Sequence, residues 1–219
     1  WTLQTLDQLD ALCRDFDALF LGMGLARTHQ LGVPGETLAG VQDAVDFIAA
    51  LRQADDLATL PVGRRVVVIG GGMTAVDAAV QSKLLGAESV HIVYRRGVEA
   101  MSASTAEQEW AQTHGVTIHH WLAPVDIVAS SGDSGHAGAV RFARQALVDG
   151  KLTPTGEVET LEADMVLKAI GQQLGNPVLA QAGLALEGGR IATDADGKTS
   201  RPGVWAGGDC RAGGLDLTV

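Results

Sequence analysis

Cysteines, aromatics and long apolar runs are all scarce in this chain. Its 219 residues hold two cysteines, Cys13 and Cys210. Two thiols that far apart build no disulfide framework, no C-x-x-C redox pair and no iron–sulfur cluster. No Gly-x-Ser-x-Gly nucleophile turn occurs. No apolar stretch reaches the length of a membrane span and no signal peptide opens the chain, so the expectation is a cytoplasmic protein away from membranes. Positive charge is short as well. Lys and Arg number 16 against 26 Asp and Glu, a formal net charge of −10, which argues against nucleic acid as a partner. Aromatics make up 4% of the chain, whereas glycines number 28 and 46% of residues are hydrophobic. That balance fits an α/β fold with a real core and many tight strand–helix turns. The chain starts at Trp1 and stops at Val219 in an apolar run, and so reads as an excised piece of a longer protein.

The hydrophobic pattern places the elements. "LDQLDALCRDFDALFLGMG" begins with a short helix and turns into a strand at Ala18–Gly22. "GVPGETLAG" (Gly32–Gly40) is a loop by its Pro and Gly content. In "VQDAVDFIAALRQ", Val41, Ala44, Val45, Ile48 and Leu51 fall on one helical stripe. "LPVGRR" breaks the pattern and reads as a domain boundary at Pro61. A strand at Val66–Ile69 leads into glycines and then a helix whose apolar side is Ala75, Val76, Ala79, Val80 and Leu84, with Gly86 as its stop. A second strand follows at Ser89–Tyr94. Ser104 and Glu107 have capping-box spacing at the start of another helix, which Gly115 ends. Strands are expected at Val116–Trp121 and Val125–Ala129. "DGK" at Asp149–Lys151 signals a β-hairpin, Met165–Ile170 an apolar strand, and "GVWAGGD" (Gly203–Asp209) a last one.

Gly70-x-Gly72-x-x-Ala75 matches the dinucleotide fingerprint G-x-G-x-x-A. The first glycine permits the tight turn, the second lets a pyrophosphate approach the backbone, and Ala75 lets the helix pack closely on the strand. The phosphates would sit at the helix N-terminus, where unpaired N–H groups and the helix dipole favour negative charge. Gly71, Met73 and Thr74 belong to the same turn, Met73 as a backbone amide donor. The competing reading is a glycine turn with no ligand. At the end of the second strand, where NAD and FAD require an acidic residue for the ribose hydroxyls, the chain has Tyr94-Arg95-Arg96. Paired N–H donors of an arginine match a 2′-phosphate, which points to NADPH; the alternative is a solvated basic turn. Asp77 is expected in the first helical turn as a partner of the dipole. "GVWAGGDC" ends a strand in Gly207-Gly208-Asp209, an aspartate placed to accept from a flavin ribityl hydroxyl or an ordinary turn.

His119 and His120 are adjacent on a strand and point to opposite faces, so they do not share a metal ion. Cys13 and Cys210 read as packed, inert thiols. Trp110 and Trp121 read as core or rim. No nucleophile or metal centre emerges, which suits chemistry carried by cofactors.

Together, "DFDALFLGMG", "GVPGETLAGVQDAVDFI", "VVVIGGGMTAVDAA", "HIVYRRGVEAMSAS", "ADMVLKAIGQ" and "GVWAGGDC" resemble the FAD/NAD(P)-binding region shared by the small subunit of bacterial glutamate synthase and by dihydropyrimidine dehydrogenase. "GGGMTAVDAAVQSKLLGAE" and "VLKAIGQ" are nearer to the bacterial dihydropyrimidine dehydrogenase NAD(P)H subunits. The resemblance implies a Rossmann-like NADP(H)-binding domain, a parallel sheet with an antiparallel excursion, over residues 61–172. It is inserted into an FAD-binding domain of which 1–60 and 173–219 are partial segments. It implies that Gly70–Gly72, Thr74 and Ala75 hold the NADPH pyrophosphate and that Arg95 and Arg96 hold its 2′-phosphate. Ala169, Ile170 and Gly171 would line the nicotinamide side, and Gly208 and Asp209 would meet FAD. Hydride would pass from NADPH to FAD and electrons onward to a catalytic partner subunit or domain. Iron–sulfur clusters belong to the parent protein only. A first FAD fingerprint is expected upstream of Trp1, and a helix covering the flavin is expected to begin near "LDLTV" (Leu215–Val219). Met101–Ser104, "MSAS", stands where many members carry Met-Pro-Ala. A reading of another class is a non-catalytic NADP-binding sensor or interaction module.

Overall fold

The computed structural model describes residues 5–25, 27–175 and 177–213. The chain divides into two compact units, one of Gln30–Gly171 and one of Trp1–His29 with Gln172–Val219. The second unit opens with α1 (Leu6–Asp15), β1 (Leu19–Leu21) and β2 (Arg27–Thr28). The Gln30–Gly171 unit contains β3 (Val41–Asp43), α2 (Ala44–Gln53), β4 (Arg65–Ile69), α3 (Met73–Leu84), β5 (Ser89–Tyr94), α4 (Thr105–Thr113) and β6 (Val116–His120). It continues with β7 (Leu122–Ala129), β8 (Ala137–Val148), β9 (Lys151–Glu162) and β10 (Met165–Lys168). The chain then returns to the split unit through β11 (Gln172–Gln173), α5 (Pro177–Gln181), β12 (Leu186–Glu187), β13 (Arg190–Ile191) and β14 (Val204–Ala206).

In the Gln30–Gly171 unit, five strands form a parallel sheet in the order β3-β10-β4-β5-β6. Both faces are covered, which is why Val66–Ile69 reads as an unbroken apolar run rather than an alternating one. Val66, Val68, Ile92 and Leu167 face a core built with α2, α3 and α4. Val67, Ile69, Val93 and Val166 face the other way, onto Leu122, Val140 and the fully buried Phe142. Those last residues come from the antiparallel sheet β7-β8-β9. The expected hairpin is present. Asp149 and Gly150 take φ of 50° and 75°, the left-handed pair that a two-residue type I′ turn demands, and Val148 pairs with Lys151. The capping box at Ser104 and Glu107 also forms, and Gly115 (φ 82°) follows the end of α4. This is the α/β architecture with an antiparallel excursion that the sequence implies.

Three expectations are corrected. The inner unit begins at Gln30, not Pro61, because Val41–Asp43 is a strand paired with Val166–Lys168 and belongs to the parallel sheet. The helix therefore starts at Ala44; of the predicted stripe Ala44 is buried and Ile48 packs against the core, and Phe47, outside that stripe, is buried with them. On α3, Leu84 is exposed, and Ala78 and Ser82 are buried in its place, Ser82 bonding Ala78 O at 2.7 Å.

In the split unit, β1 and β14 pair in parallel over a core of Leu9, Leu21, Leu179, Leu184, Ile191, Val204 and Cys210. Thr5 caps α1 through a capping box with Gln8.

Candidate functional site

The glycine loop joins β4 to α3. Gly70 has φ 154° and donates its N–H to Val93 O at 3.0 Å. A Cβ there would collide with the Ala169 carbonyl, so only glycine lets the loop lie against the residue that follows β10. A Cβ on Gly71 would lie 2.5–2.8 Å from ring carbons of Tyr94. Gly72 is the N-cap of α3, and its carbonyl accepts from Ala75 and Val76 at 3.0 and 3.2 Å. The N–H groups of Gly71, Gly72, Met73 and Thr74 precede those bonds and have no intrahelical acceptor. Ala75 is fully buried beneath the helix start. The turn therefore presents amide donors at the positive end of a 12-residue helix.

Tyr94 closes β5. Its ring covers Gly71 and its hydroxyl donates to Ala100 O at 2.7 Å. The segment after it folds back over the glycine turn, and Ala103 N–H reaches Gly71 O at 3.1 Å. Arg95 and Arg96 stand at the start of that segment, both exposed. The backbone there is fixed by Trp121 N–H on Arg96 O. Arg52, Arg64, Arg65, Arg141, Arg144 and Arg201 all sit in ion pairs. Among the described residues Arg95 and Arg96 make none, as is also true of Arg14, Arg190 and Arg211.

Ser102 and Ala103 of the "MSAS" loop lie against the glycine turn, a placement that the sequence does not announce. A second such arrangement is buried at the carboxyl edge of the sheet. Lys168, the last residue of β10, pairs in register with Asp43 on one side and Ile69 on the other. Its Nζ lies 3.0 Å from Glu36 Oε1 and 3.1 Å from Asp43 Oδ1. Glu36 also accepts N–H bonds from Leu31 and Gly32 at 2.8 and 2.9 Å. Burial pushes the Glu36 carboxyl up, but the Leu31 amide, Lys168 and the Gly32 amide outweigh it and hold it below its ordinary value. Burial pulls Lys168 down, and Glu36 and Asp43 outweigh that, leaving the ammonium above its ordinary value. Glu36 and Lys168 are both charged at neutral pH. They pin the Leu31–Glu36 loop to the edge that continues into Ala169, Ile170 and Gly171. Ala169 and Ile170 are half-buried, Gly171 is exposed with φ 94°, and Ala169 N–H bonds Ile69 O at 2.8 Å.

Asp77 lies in the second turn of α3, not the first, and faces Arg52 at 3.7 Å and Gln81 at 3.4 Å. His119 meets His91 (3.0 Å) and Glu159 (3.6 Å), whereas His120 meets the Met101 sulfur (3.3 Å). The two neighbours thus point apart. No metal-binding group of three or more His, Cys, Asp or Glu side chains occurs among the described residues. Trp110 is 42% exposed and packs edge-on to His114.

In the split unit, Gly207 N–H bonds Leu21 O and the chain turns through Gly208 (φ 68°), Asp209 and Cys210. Phe20, itself 67% exposed, occupies the space a Gly207 side chain would need. Cys210 is fully buried and donates to Leu21 O and Gly207 O. Asp209 is half-buried with no side-chain partner among the described residues. Leu215–Val219, where a helix was expected, lies outside the described residues. Among the described residues no helix is long and apolar enough to cross a membrane.

Comparison with known proteins follows the same line. Solved structures share the fold. Mycobacterium tuberculosis FprA in complex with NADPH superposes with a TM-score of 0.75 at 21% identity, over 99% of this chain and 63% of FprA. T. acidophilum thioredoxin reductase gives 0.70 at 23% identity, over 91% of this chain and 59% of that one. In sequence, the chain is 34% identical to the putative oxidoreductase AegA of Escherichia coli, over 96% of this chain and 35% of AegA. It is 34% identical to the β subunit of the NADP(+)-dependent formate dehydrogenase of Moorella thermoacetica, over 94% of this chain and 29% of that subunit. It is 33% identical to the small chain of the NADPH glutamate synthase of Escherichia coli, over 97% of this chain and 49% of the small chain. The chain thus spans 29–49% of the length of these curated relatives. The model of the pyridine nucleotide-disulphide oxidoreductase family matches residues 7–219, and the chain belongs to that family.

Proposed function

We propose that this chain is the NADPH-holding, electron-input region of a flavin-dependent oxidoreductase. Its electrons leave for a partner domain or subunit that carries iron–sulfur clusters and the substrate chemistry, as in glutamate synthase or dihydropyrimidine dehydrogenase. In this reading the Gln30–Gly171 unit holds NADPH and the split unit contributes to the FAD domain. The observation that carries it is the pair Arg95–Arg96, exposed and without ion-pair partners, at the end of the strand beside the glycine turn.

The residues fit a dinucleotide. Gly70 and Gly71 have no room for a Cβ, because the turn is held tight against Ala169 and Tyr94. The amides of Gly71–Thr74, without intrahelical acceptors, suit the pyrophosphate, and the arginines supply planar paired donors for a 2′-phosphate. Asp209, with no partner of its own among the described residues, has the acceptor chemistry a ribityl hydroxyl needs. When bound, NADPH supplies a hydride and FAD divides the electron pair into single electrons. The side chains of this chain bind, orient and screen; none needs to act as acid or base in hydride transfer. Equilibrium titration of the chain with NADPH and with NADH tests the reading. NADPH binding tighter by at least about ten-fold is expected from one charge-assisted contact. Equal affinities would overturn it.

A further inference from the structure

The fold makes no use of the Ser102 hydroxyl. Ser102 is exposed, and among the described residues its Oγ has no hydrogen-bond partner. Yet the residue is held in place. Met101 N–H bonds Val98 O at 3.2 Å, Ala103 N–H bonds Gly71 O at 3.1 Å, and Tyr94 ties down the preceding Ala100 at 2.7 Å. Between those anchors, Ser102 Oγ lies 3.0 Å from the point a Cβ on Gly72 would occupy. Gly72 is the N-cap of α3, so the hydroxyl stands beside the amides that open the helix.

We propose that Ser102 is a binding residue for the dinucleotide, its Oγ–H donating to the pyrophosphate held by the glycine turn; this rests on the NADPH reading above. A phosphate settling on the Gly72 and Met73 amides comes within reach of a hydroxyl fixed at the rim of the same turn. The hydroxyl proton rotates freely to the acceptor, and a bond to an anionic oxygen is among the stronger ones available. Ser102 would give this chain an additional contact to the pyrophosphate. It differs from Arg95 and Arg96 in what it senses. The pyrophosphate is common to NADPH and NADH, whereas the 2′-phosphate is not.

The test is calorimetric titration of the 219-residue chain and its Ser102→Ala and Ser102→Thr variants with NADPH and with NADH. Ser102→Ala is expected to raise both dissociation constants by the same factor, about ten-fold for one hydrogen bond to a charged acceptor. Ser102→Thr, which keeps the hydroxyl, is expected to remain within about two-fold of the parent chain. A loss confined to NADPH would move the hydroxyl to the 2′-phosphate and overturn the proposal. So would unchanged affinities in Ser102→Ala while the parent chain binds, an outcome that leaves the NADPH reading intact. A parent chain that binds neither dinucleotide would overturn both.

Discussion

Lys168 and Glu36 meet across 132 residues of sequence, Nζ to Oε1 at 3.0 Å, with both side chains 9% exposed. The pair joins the last residue of β10 to the loop that begins the inner unit. A buried pair is a modest stabiliser as a whole, but removing one member strands the other charge in a poorly solvated place, at a cost of about 3–5 kcal/mol. Lys168→Met is expected to lower the unfolding free energy by that amount in urea titration. Lys168→Met combined with Glu36→Gln is expected to recover part of it, because the buried charge is gone and the single amide oxygen still accepts from one of the two backbone N–H groups, Leu31 or Gly32. A single-variant loss below about 1 kcal/mol, the value of an exposed pair, would show that the contact is not buried in solution.

Gly70→Ala should be the most damaging change in the glycine turn. The new methyl meets the Ala169 backbone, which has no flexible end to move aside, and φ 154° is a conformation L side chains rarely adopt. Overpacking and backbone strain together cost roughly 2–5 kcal/mol. Thermal denaturation reads the loss directly. Gly72→Ala should be milder, since its methyl meets only the rotatable Ser102 hydroxyl at 3.0 Å. The reverse ranking would mean that the turn does not rest on Ala169.

The arginine pair gives a prediction of selectivity. Replacing both Arg95 and Arg96 by Ala should weaken NADPH by about a hundred-fold, the loss of charge-assisted bonds to a phosphate. NADH should change by less than about three-fold. Fluorescence titration of the two cofactors separates the cases. Parallel losses would mean that the arginines support the loop and not the 2′-phosphate.

Much of this arrangement was legible because it is local. Val66–Tyr94 spells strand, turn, helix and strand within about thirty residues, and each element carries its own signal: apolar run, glycines, buried stripe, apolar run. Asp149-Gly150 and Ser104/Glu107 likewise announce a turn and a cap with neighbouring residues alone. Val41–Asp43 was misread because its apolar spacing continues into α2. Only the distant Val166–Lys168 makes it a strand. Lys168, Glu36 and Asp43 were invisible for the same reason, as nothing near any of them in sequence marks its partners. Tyr94, a candidate dinucleotide contact, is legible only as the end of a strand. The structure gives its ring a packing role on Gly71, which no spacing rule contains.

The two rings of His91 and His119 set a limit on stability in mild acid. Nδ1 of one lies 3.0 Å from Nε2 of the other, so one ring must offer a lone pair to the other's N–H. Burial lowers both, and each is further held down by a neighbour, His91 by His119, and His119 by His120 and Arg144; Glu159 opposes the shift at both. Each group therefore binds its proton less readily folded than unfolded. Their contribution is fully present above the unfolded value of 6.5 and is lost as the pH falls through the lower folded values. The unfolding free energy should decline below about pH 6.5, with a slope of at most about 2.7 kcal/mol per pH unit for two protons. Glu36 adds its own loss only lower, as the pH falls from 4.5 through its depressed value. Urea titrations at about pH 7.5, 6.0 and 5.0 measure the decline. The double replacement His91→Gln with His119→Gln should flatten it while leaving the loss below 4.5 in place. An equally steep decline between about pH 6.5 and 5.0 in that variant would assign the acid sensitivity to other groups.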